Sequence, residues 1–269
     1  MSDTAPSARR SSDTATAVSV QDRMVSVVIP AYNEEARLGA TLKRMVAYLD
    51  AQSYSYEILV VDDGSSDGTV DVVRSVSERR SEVQLVTYER NQGKGYAVRC
   101  GMLRAKGDLI LFSDADLATP IEELEKLLAA IDSGSDIAIG SRDVKGSQLV
   151  RRESAVRELG GRTFNKLVQA LTVPGIRDTQ CGFKLFTSQA ARAIFQRCRV
   201  DHFAFDVEVL YLARRMFGYK VAEVPVRWAH QDGSKVSFLK DGMRMVRTVF
   251  QIRFSRYERA YQAIEARTP

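Results

Sequence analysis

Short, uninterrupted runs of apolar and β-branched residues alternate along this chain with stretches whose apolar residues recur at helical spacing. The runs that predict strands are Val25 to Ile29, Ile58 to Val61, Val83 to Thr87, Asp108 to Phe112 and Ile137 to Ile139. Stretches such as Leu38 to Leu49 and Ile121 to Asp132 place their apolar residues on one face of a helix. Apolar strands separated by helices predict an α/β fold, with a mostly parallel sheet and helices on both faces.

The length and composition of the chain limit its organisation. With 269 residues, 45% of them hydrophobic, it is long enough for one substantial domain or a domain with an appended module. The strand pattern ends near Gly140, so we expect the sheet core to end there. Residues 141–162 are basic and loop-like, and Phe164 to Leu171 resumes a helical pattern. Residues 1–23 are rich in Ser, Thr, Ala and Asp without apolar periodicity, which predicts a disordered tail.

The charge and the cysteines narrow the function class and the compartment. A net charge of +5 and a pI near 9.1 suit a nucleic acid, a nucleotide or an acidic membrane surface as partner. No apolar run approaches the roughly 20 residues that cross a bilayer, and the N-terminus lacks the apolar core of a secretory signal, so we expect a soluble or peripheral protein.

Cys100, Cys181 and Cys198 show no paired metal spacing, which favours a reducing compartment.

Three acidic clusters follow the first, second and fourth predicted strands. They are Glu34-Glu35, Asp62-Asp63 and Asp114-Ala115-Asp116. Because ligands of open parallel sheets bind at the carboxyl ends of the strands, these carboxylates are expected to converge on one edge. A divalent cation would offset their repulsion, and Asp oxygens suit Mg²⁺ or Mn²⁺ bound together with substrate phosphates. The pattern therefore predicts a substrate that carries a diphosphate.

Four basic residues lie within two positions of glycine or serine, small residues that let a cation and the backbone approach an anion closely. They are Lys94, Arg142, Lys184 and Lys235. The P-loop spacing is absent around Lys94, and no G-x-G-x-x-G follows the first strand, which argues against an ATPase and a dinucleotide-dependent dehydrogenase. A basic binding protein for nucleic acid or membrane is the non-enzymatic alternative, but without a metal the acidic clusters would repel a polyphosphate.

Longer motifs resemble family 2 glycosyltransferases of GT-A fold. Val28-Ile29-Pro30-Ala31-Tyr32-Asn33-Glu34, Val61-Asp62-Asp63-Gly64-Ser65 and Asp114-Ala115-Asp116 stand in the order of that family. Within it, Arg90 to Gly95, Gly175 to Phe186, Ala204 to Glu208 and Gly233 to Lys235 are similar to dolichyl-phosphate β-glucosyltransferases. The resemblance runs from about Val25 to Lys235 and implies a GT-A domain over residues 24–235, with a mostly parallel, Rossmann-like sheet.

The resemblance also implies roles for individual residues. The donor nucleotide and its ribose-diphosphate would be bound by Pro30, Tyr32, Glu34, Val61, Asp63, Lys94, Asp114, Ala115 and Asp116, with the Asp63 carboxylate accepting a hydrogen bond from the base. Asp114 and Asp116 would form the metal site, with Asp116 preferred as the direct ligand. Asp116, Arg142, Asp178 and Lys184 are the implied catalytic residues. Of these, Arg142 and Lys184 would face phosphates and Asp178, or Asp206, would orient the acceptor, for which residues 143–162 form the implied loop.

The implied reaction is inverting transfer of glucose from UDP-glucose to a polyprenyl phosphate of the dolichyl type. The same reaction with GDP-mannose or a UDP-N-acetylhexosamine is the alternative within this class. Because a phosphate acceptor is already anionic at neutral pH, we expect positioning and charge neutralisation to outweigh general-base catalysis. Related mannosyl enzymes often have Gln where this chain has Ala118, so water or another group must complete the metal coordination. The eukaryotic glucosyl enzymes carry an N-terminal membrane anchor, and we expect none in this chain.

The C-terminal segment, residues 236–269, is predicted to be an amphipathic helix followed by a tail. Leu239, Met243, Val246 and Phe250 recur at helical spacing, and Lys240, Arg244 and Arg247 each follow one of them directly. A basic helix of this kind can lie among lipid headgroups, although packing against the catalytic domain or a second subunit would explain the same pattern. We therefore expect a peripheral protein at the cytoplasmic face of a membrane and no nucleic-acid partner, and a homo-oligomer is compatible with the pattern.

Overall fold

The first half of the chain alternates strands and helices as the sequence predicts. A computed structural model describes residues 23–151, 166, 168–230, 238–255 and 257. In chain order the elements are β1 (Met24–Ala31), α1 (Glu35–Leu49), β2 (Ser55–Asp62), α2 (Thr69–Ser77), β3 (Val83–Thr87), α3 (Lys94–Arg104), β4 (Leu109–Ser113), a 3-10 turn (Ile121–Glu123), α4 (Leu124–Asp132) and β5 (Ile137–Ser141).

The second half adds four further strands. It contains β6 (Gln148–Arg151), β7 (Phe183–Thr187), α5 (Ser188–Phe195), α6 (Phe205–Tyr211), a π-helical turn (Leu212–Met216), β8 (Val221–Pro225), β9 (Arg227–Ala229) and α7 (Phe238–Phe254). The predicted disordered tail, Lys235 and residues 152–162 of the predicted acceptor loop lie outside the described residues, except for Arg23.

The central sheet has seven strands in the order β3-β2-β1-β4-β7-β5-β8. Its β3, β2, β1 and β4 strands are mutually parallel, as are β5 and β8, so the predicted mostly parallel sheet is confirmed. Strand β7 is inserted antiparallel between β4 and β5. The expectation that the sheet core ends near Gly140 is therefore wrong, because β7 and β8 come from later in the chain. A separate two-stranded sheet pairs β6 with β9.

Successive side chains of the central strands pack on opposite faces of the sheet. In β1, Val27 and Ile29 join the apolar layer that contains α1 and α4, whereas Val28 joins the layer that contains α3, α5 and α6. Each of these fully buried side chains stabilises the fold by about 1.5–3 kcal/mol relative to exposure. With both faces covered, the turns at the strand ends are held on a rigid frame.

The C-terminal helix α7 packs through a different face from the one that the sequence pattern indicates. Val249 and Ile252 are buried in the apolar layer with α3 and α6. Phe250, which belongs to the predicted stripe, is 44% exposed, and Phe254 one turn later is 72% exposed. Within the described residues, no helix has the length and apolarity that would let it cross a bilayer.

Candidate active site

The parallel strands β1, β2 and β4 end at the same edge of the sheet, and their turns carry the three acidic clusters. Two residues in these turns adopt a left-handed backbone conformation, with φ of 53° at Asn33 and 49° at Leu117. Asn tolerates this conformation, but it is strained for a bulky residue such as leucine. Strain of this kind concentrates at binding and catalytic sites, where the surrounding packing enforces it.

Asp114 is held from two sides at the end of β4. Its Oδ1 lies 2.6 Å from the ammonium nitrogen of Lys94, and its backbone N–H donates to the carbonyl of Gly182 at 3.0 Å. Because β7 is antiparallel to β4, with Phe183 opposite Ser113, the residue before β7 lies directly beside the residue after β4. A Cβ atom at Gly182 would lie 1.8 Å from Oδ2 of Asp114, so any larger residue here would displace the carboxylate from its present position.

Lys94 begins helix α3 and points its ammonium group into the acidic edge. The N–H of Gly95 donates to the carbonyl of Asp201 at 2.9 Å, which fixes the start of the helix. Burial lowers the pKa of Lys94, but the charges of Asp114 and Asp206 outweigh burial and hold that pKa above its ordinary value. Lys94 is therefore a permanent cation beside Asp114.

Asp116 is the carboxylate of this edge that a cation would relieve most. Its Oδ1 accepts a hydrogen bond from the N–H of Ala118 at 3.0 Å. Burial raises the pKa of Asp116, and the neighbouring charge of Asp114 raises it further. In the described part of the chain, no group of three or more His, Cys, Asp or Glu side chains forms a complete metal cage. One or two carboxylates are what Mg²⁺ and Mn²⁺ use when substrate phosphates supply the other ligands, so the residues fit such an ion.

Arg37 is a basic residue of this edge that the sequence analysis missed. Its guanidinium group hydrogen-bonds both carboxylate oxygens of Glu34. That hydrogen bonding is the main reason why the pKa of Arg37 is raised, and the charges of Asp116 and Asp114 add to the effect. Arg37 therefore orients Glu34 and contributes positive potential at the predicted metal site. Its position in the first turn of α1, three residues after Glu34, could have indicated that the two side chains meet.

Asp63 organises the loop that leads to Lys94. Its Oδ1 accepts from the Tyr88 hydroxyl at 2.8 Å and the Gln92 N–H at 2.7 Å, and its Oδ2 accepts from the Gly93 N–H at 2.9 Å. The residue is 3% exposed. These hydrogen bonds hold the 88–93 loop in place. The contact of Asp63 with a nucleoside base stays a prediction.

The other residues predicted to line the nucleoside pocket lie at the same edge. Pro30 and Val61 are paired neighbours on β1 and β2, and both are buried. Tyr32 follows β1 and keeps an exposed ring surface. Ala115 is buried between the two carboxylates of the β4 turn, where its carbonyl accepts from the Thr41 hydroxyl at 2.7 Å.

Arg142 follows β5 and is fixed by a fully buried carboxylate. Its Nε lies 2.7 Å from Oδ2 of Asp178 and its Nη2 lies 2.9 Å from Oδ1, and the backbone N–H of Arg142 also donates to Oδ2 at 3.0 Å. Burial raises the pKa of Asp178, but Arg142 outweighs burial and holds that pKa below its usual range. The guanidinium carbon lies 5.2 Å from the ring centroid of Trp228. Asp178 therefore positions Arg142, and its predicted contact with an acceptor stays a prediction.

Lys184 is buried within β7 and is engaged with protein groups. Its ammonium group donates to the Cys181 carbonyl at 2.6 Å and to the Asp206 carboxylate. Burial raises the pKa of Asp206, while Lys184 and Lys94 oppose the shift. A direct contact between Lys184 and a phosphate, as the sequence analysis expects, would require this buried pair to open.

A small cavity lies beside Asp114 at the end of β4. Ala118, Thr119, Gly182 and Trp228 are among the residues that line it. Gly182 and Trp228 are not among the residues that the sequence predicts for the site, although Gly182 lies in the motif from Gly175 to Phe186. The pairing of β4 with β7 and the path of β9 bring them there, and neither can be derived from local sequence patterns.

The sequence of the chain matches a known family over most of this fold. Residues 26–195 match the family described as glycosyl transferase family 2. A dolichyl-phosphate β-glucosyltransferase of Dictyostelium discoideum is 40% identical over 242 residues, which cover 86% of this chain and 74% of the relative. The enzyme of the same description from Drosophila melanogaster is 42% identical over 243 residues, with 85% and 74% covered.

Solved structures share the architecture. Glucosyl-3-phosphoglycerate synthase from Mycobacterium tuberculosis, in a complex with Mn²⁺, UDP-glucose and phosphoglyceric acid, superimposes with a TM-score of 0.65 at 21% identity, and the match covers 88% of this chain and 80% of that one. At this identity the likeness shows the fold alone. Together with the sequence matches and the acidic edge, it leads to the conclusion that this chain is a glycosyltransferase of GT-A fold and belongs to glycosyl transferase family 2.

Proposed function

We propose that the enzyme transfers glucose from UDP-glucose to a polyprenyl phosphate of the dolichyl type, forming a β-linked product. The descriptions of its relatives support the sugar and the acceptor. The observation that carries the proposal is the position of the segment 175–186, which is similar to those enzymes. In this segment Gly182 contacts Asp114 and Asp178 binds Arg142, so the residues that resemble the glucosyl branch build one wall of the site.

Asp116, with Asp114 beside it, would hold a Mg²⁺ or Mn²⁺ ion together with the donor diphosphate. The raised pKa of Asp116, which burial and the charge of Asp114 cause, supports this arrangement, because a cation would offset that charge. When bound, the ion supplies positive charge that stabilises the leaving nucleoside diphosphate. Lys94 and Arg37 provide fixed cations at the same edge, so part of that charge comes from the protein itself.

Pro30, Tyr32, Glu34, Val61 and Asp63 would bind the nucleoside at the ends of β1 and β2. The exposed ring surface of Tyr32 provides a face for the base, and Arg37 orients Glu34. Asp63 would accept a hydrogen bond from the base through the carboxylate lone pairs that do not already bind Tyr88, Gln92 or Gly93.

The acceptor phosphate is already an anion, so the protein has to position it and to neutralise charge rather than remove a proton. Arg142 would stabilise the negative charge near the diphosphate, since Asp178 and Trp228 hold its guanidinium group in place. Attack on the anomeric carbon from the side opposite the leaving group gives the inverted, β-linked product.

Helix α7 would rest on the membrane that contains the acceptor lipid. Its exposed Phe250 and Phe254 form an apolar surface, and Arg244 and Arg247 are exposed on the same helix. Arg244 also contacts His202. That contact places the helix next to the segment that holds Gly95 and Lys94, so a lipid surface at α7 would be close to the active site.

The proposed reaction is tested by incubating the enzyme with each of several labelled nucleotide-sugars and a polyprenyl phosphate in detergent. Label from UDP-glucose is expected in the lipid, in a reaction that EDTA stops and Mn²⁺ or Mg²⁺ restores. NMR of the product should show a β anomeric configuration. Label mainly from GDP-mannose or a UDP-N-acetylhexosamine would show that the sugar is wrong, and no transfer from any donor would refute the proposed reaction.

The experiment for the membrane surface is co-sedimentation with liposomes that contain anionic lipid. The double variant Phe250→Ser/Phe254→Ser should lose most of its binding while its thermal unfolding midpoint is retained, because neither ring is buried. Gln251→Ser, at an exposed position of the same helix, is the matched control. Equal binding of the double variant and the control would exclude this surface.

A further inference from the structure

Trp228 is the one tryptophan of the 269-residue chain, and the fold places it at the active site. It is the central residue of β9. The strand is fixed on both sides of the indole: the guanidinium group of Arg227 donates to the buried Glu123, and the N–H of Ala229 donates to the carbonyl of Ala118 at 2.9 Å. Ala118 belongs to the turn of the metal-site carboxylates, so β9 is attached directly to that turn.

The indole lies between the two charged parts of the site. Trp228 lines the cavity that also contains Asp114 and Gly182. Arg142 stacks on its ring at 5.2 Å, and Asp178 fixes Arg142. Trp228 is only partly buried and is one of the residues that line this cavity. In a nucleotide-sugar the hexose is bonded directly to the diphosphate, so an aromatic side chain beside the proposed diphosphate site is close enough to contact the sugar.

We propose that Trp228 is the hexose platform of the donor site and that it contributes to the choice of glucose. This inference rests on the proposed function. Aromatic faces carry partial negative charge and pack against C–H groups, and apolar and aromatic walls are what ligand pockets use to fix a ligand. Glucose has all of its ring hydroxyls equatorial, so C–H groups form its two faces. Galactose, its C4 epimer, carries an axial hydroxyl on one face, and only that face packs less well against a ring. The axial diphosphate of an α-linked UDP-sugar lies on the opposite face, so we expect Trp228 to meet the face that distinguishes the two sugars.

The intrinsic fluorescence of the protein tests the position of the ring directly, because Trp228 is its sole tryptophan. In the presence of Mn²⁺, titration of the full chain with UDP-glucose should change the emission more than titration with UDP does. UDP-galactose, which carries the same nucleotide, should give a smaller change than UDP-glucose. Equal changes with UDP and UDP-glucose would show that the ring senses the nucleotide and would overturn the proposal.

Variants of Trp228 distinguish a ring that contacts the sugar from a ring that only holds Arg142 in place. Trp228→Ala is expected to lower kcat/KM for UDP-glucose by about tenfold or more and to reduce the preference for UDP-glucose over UDP-galactose. Trp228→Phe should restore part of both, and UDP affinity, measured by calorimetry, should stay close to that of the wild type. The thermal unfolding midpoint checks that each variant is folded.

The outcomes distinguish this inference from the reaction on which it rests. If Trp228→Ala lowers kcat/KM equally for both donors and weakens UDP binding, the ring only supports Arg142 and the platform is refuted. If the wild type transfers glucose and Trp228→Ala keeps the full donor preference, the platform is refuted while the proposed function stands. If the wild type transfers no glucose, the proposed function fails first.

Discussion

The substitution Gly182→Ala tests the geometry of the site without removing any functional group. The added Cβ would lie 1.8 Å from Oδ2 of Asp114, whereas ordinary van der Waals contact begins at 3.4 Å. The carboxylate must therefore move by about 1.6 Å. The ion pair between Asp114 and Lys94, now 2.6 Å long, cannot survive a movement of that size in its present form.

The displacement should cost much activity and little stability. A misplacement of about 1 Å at a catalytic site lowers the rate on the order of 10²-fold, so kcat/KM for the donor should fall by about that factor or more. The Asp114 side chain is 30% exposed and can rotate towards solvent. We therefore expect a stability loss near the lower end of the roughly 1–3 kcal/mol that is typical of overpacking.

Steady-state transfer of label from UDP-glucose to polyprenyl phosphate is the assay, with thermal unfolding as the check on folding. Gly39→Ala is the matched control, because its Cβ would approach no atom closer than 3.6 Å and alanine is favoured over glycine within helix α1. The control should keep wild-type activity. A folded Gly182→Ala enzyme with wild-type kcat/KM would refute the assignment of Asp114 to the donor site.

Three further variants test other parts of the site and its support. Asp116→Asn should lower turnover by about 10²-fold or more with the unfolding midpoint kept; wild-type turnover would contradict the metal assignment. Asp178→Asn removes a carboxylate whose folded-state pKa is lowered, so the wild type should be the more stable at neutral pH. This difference in the free energy of unfolding should shrink as pH falls through about 4 and below. Denaturation at several pH values measures it, and a difference that does not change with pH would contradict the reasoning. Tyr257→Phe removes a donor to the fully buried Glu208 and should cost about 1–3 kcal/mol in urea unfolding; no loss would contradict the importance of this bond.

The local pattern of the sequence determined the strands and helices of the first half of the fold. Periodicity is a property of neighbouring residues, so Val25 to Ile29 and Leu38 to Leu49 reveal a strand and a helix without any knowledge of their partners. The rule that ligands bind at the carboxyl ends of parallel strands then placed Asp114 and Asp116 at one edge. The motifs themselves carried the resemblance to glycosyl transferase family 2, which the match over residues 26–195 confirms.

The tertiary structure alone decided which residues complete the site. The distance between Gly182 and Asp114 depends on a β4–β7 pairing that joins segments about 70 residues apart, and no local period reports such a pairing. The attachment of β9 to the turn that carries Asp114 and Asp116, which brings Trp228 to the cavity, is equally non-local.

Burial also decided the role of each charge and of each helix face. Lys184 and Arg142 look alike in sequence, since each follows a glycine by two residues, but the fold buries Lys184 against Asp206 and leaves Arg142 partly exposed and stacked on Trp228. In α7, Val249 and Ile252 pack inward and Phe250 stays exposed, although all three are apolar. Hydrophobicity determines that a helix has faces that can pack, and the surface it meets in the folded chain determines which face is buried.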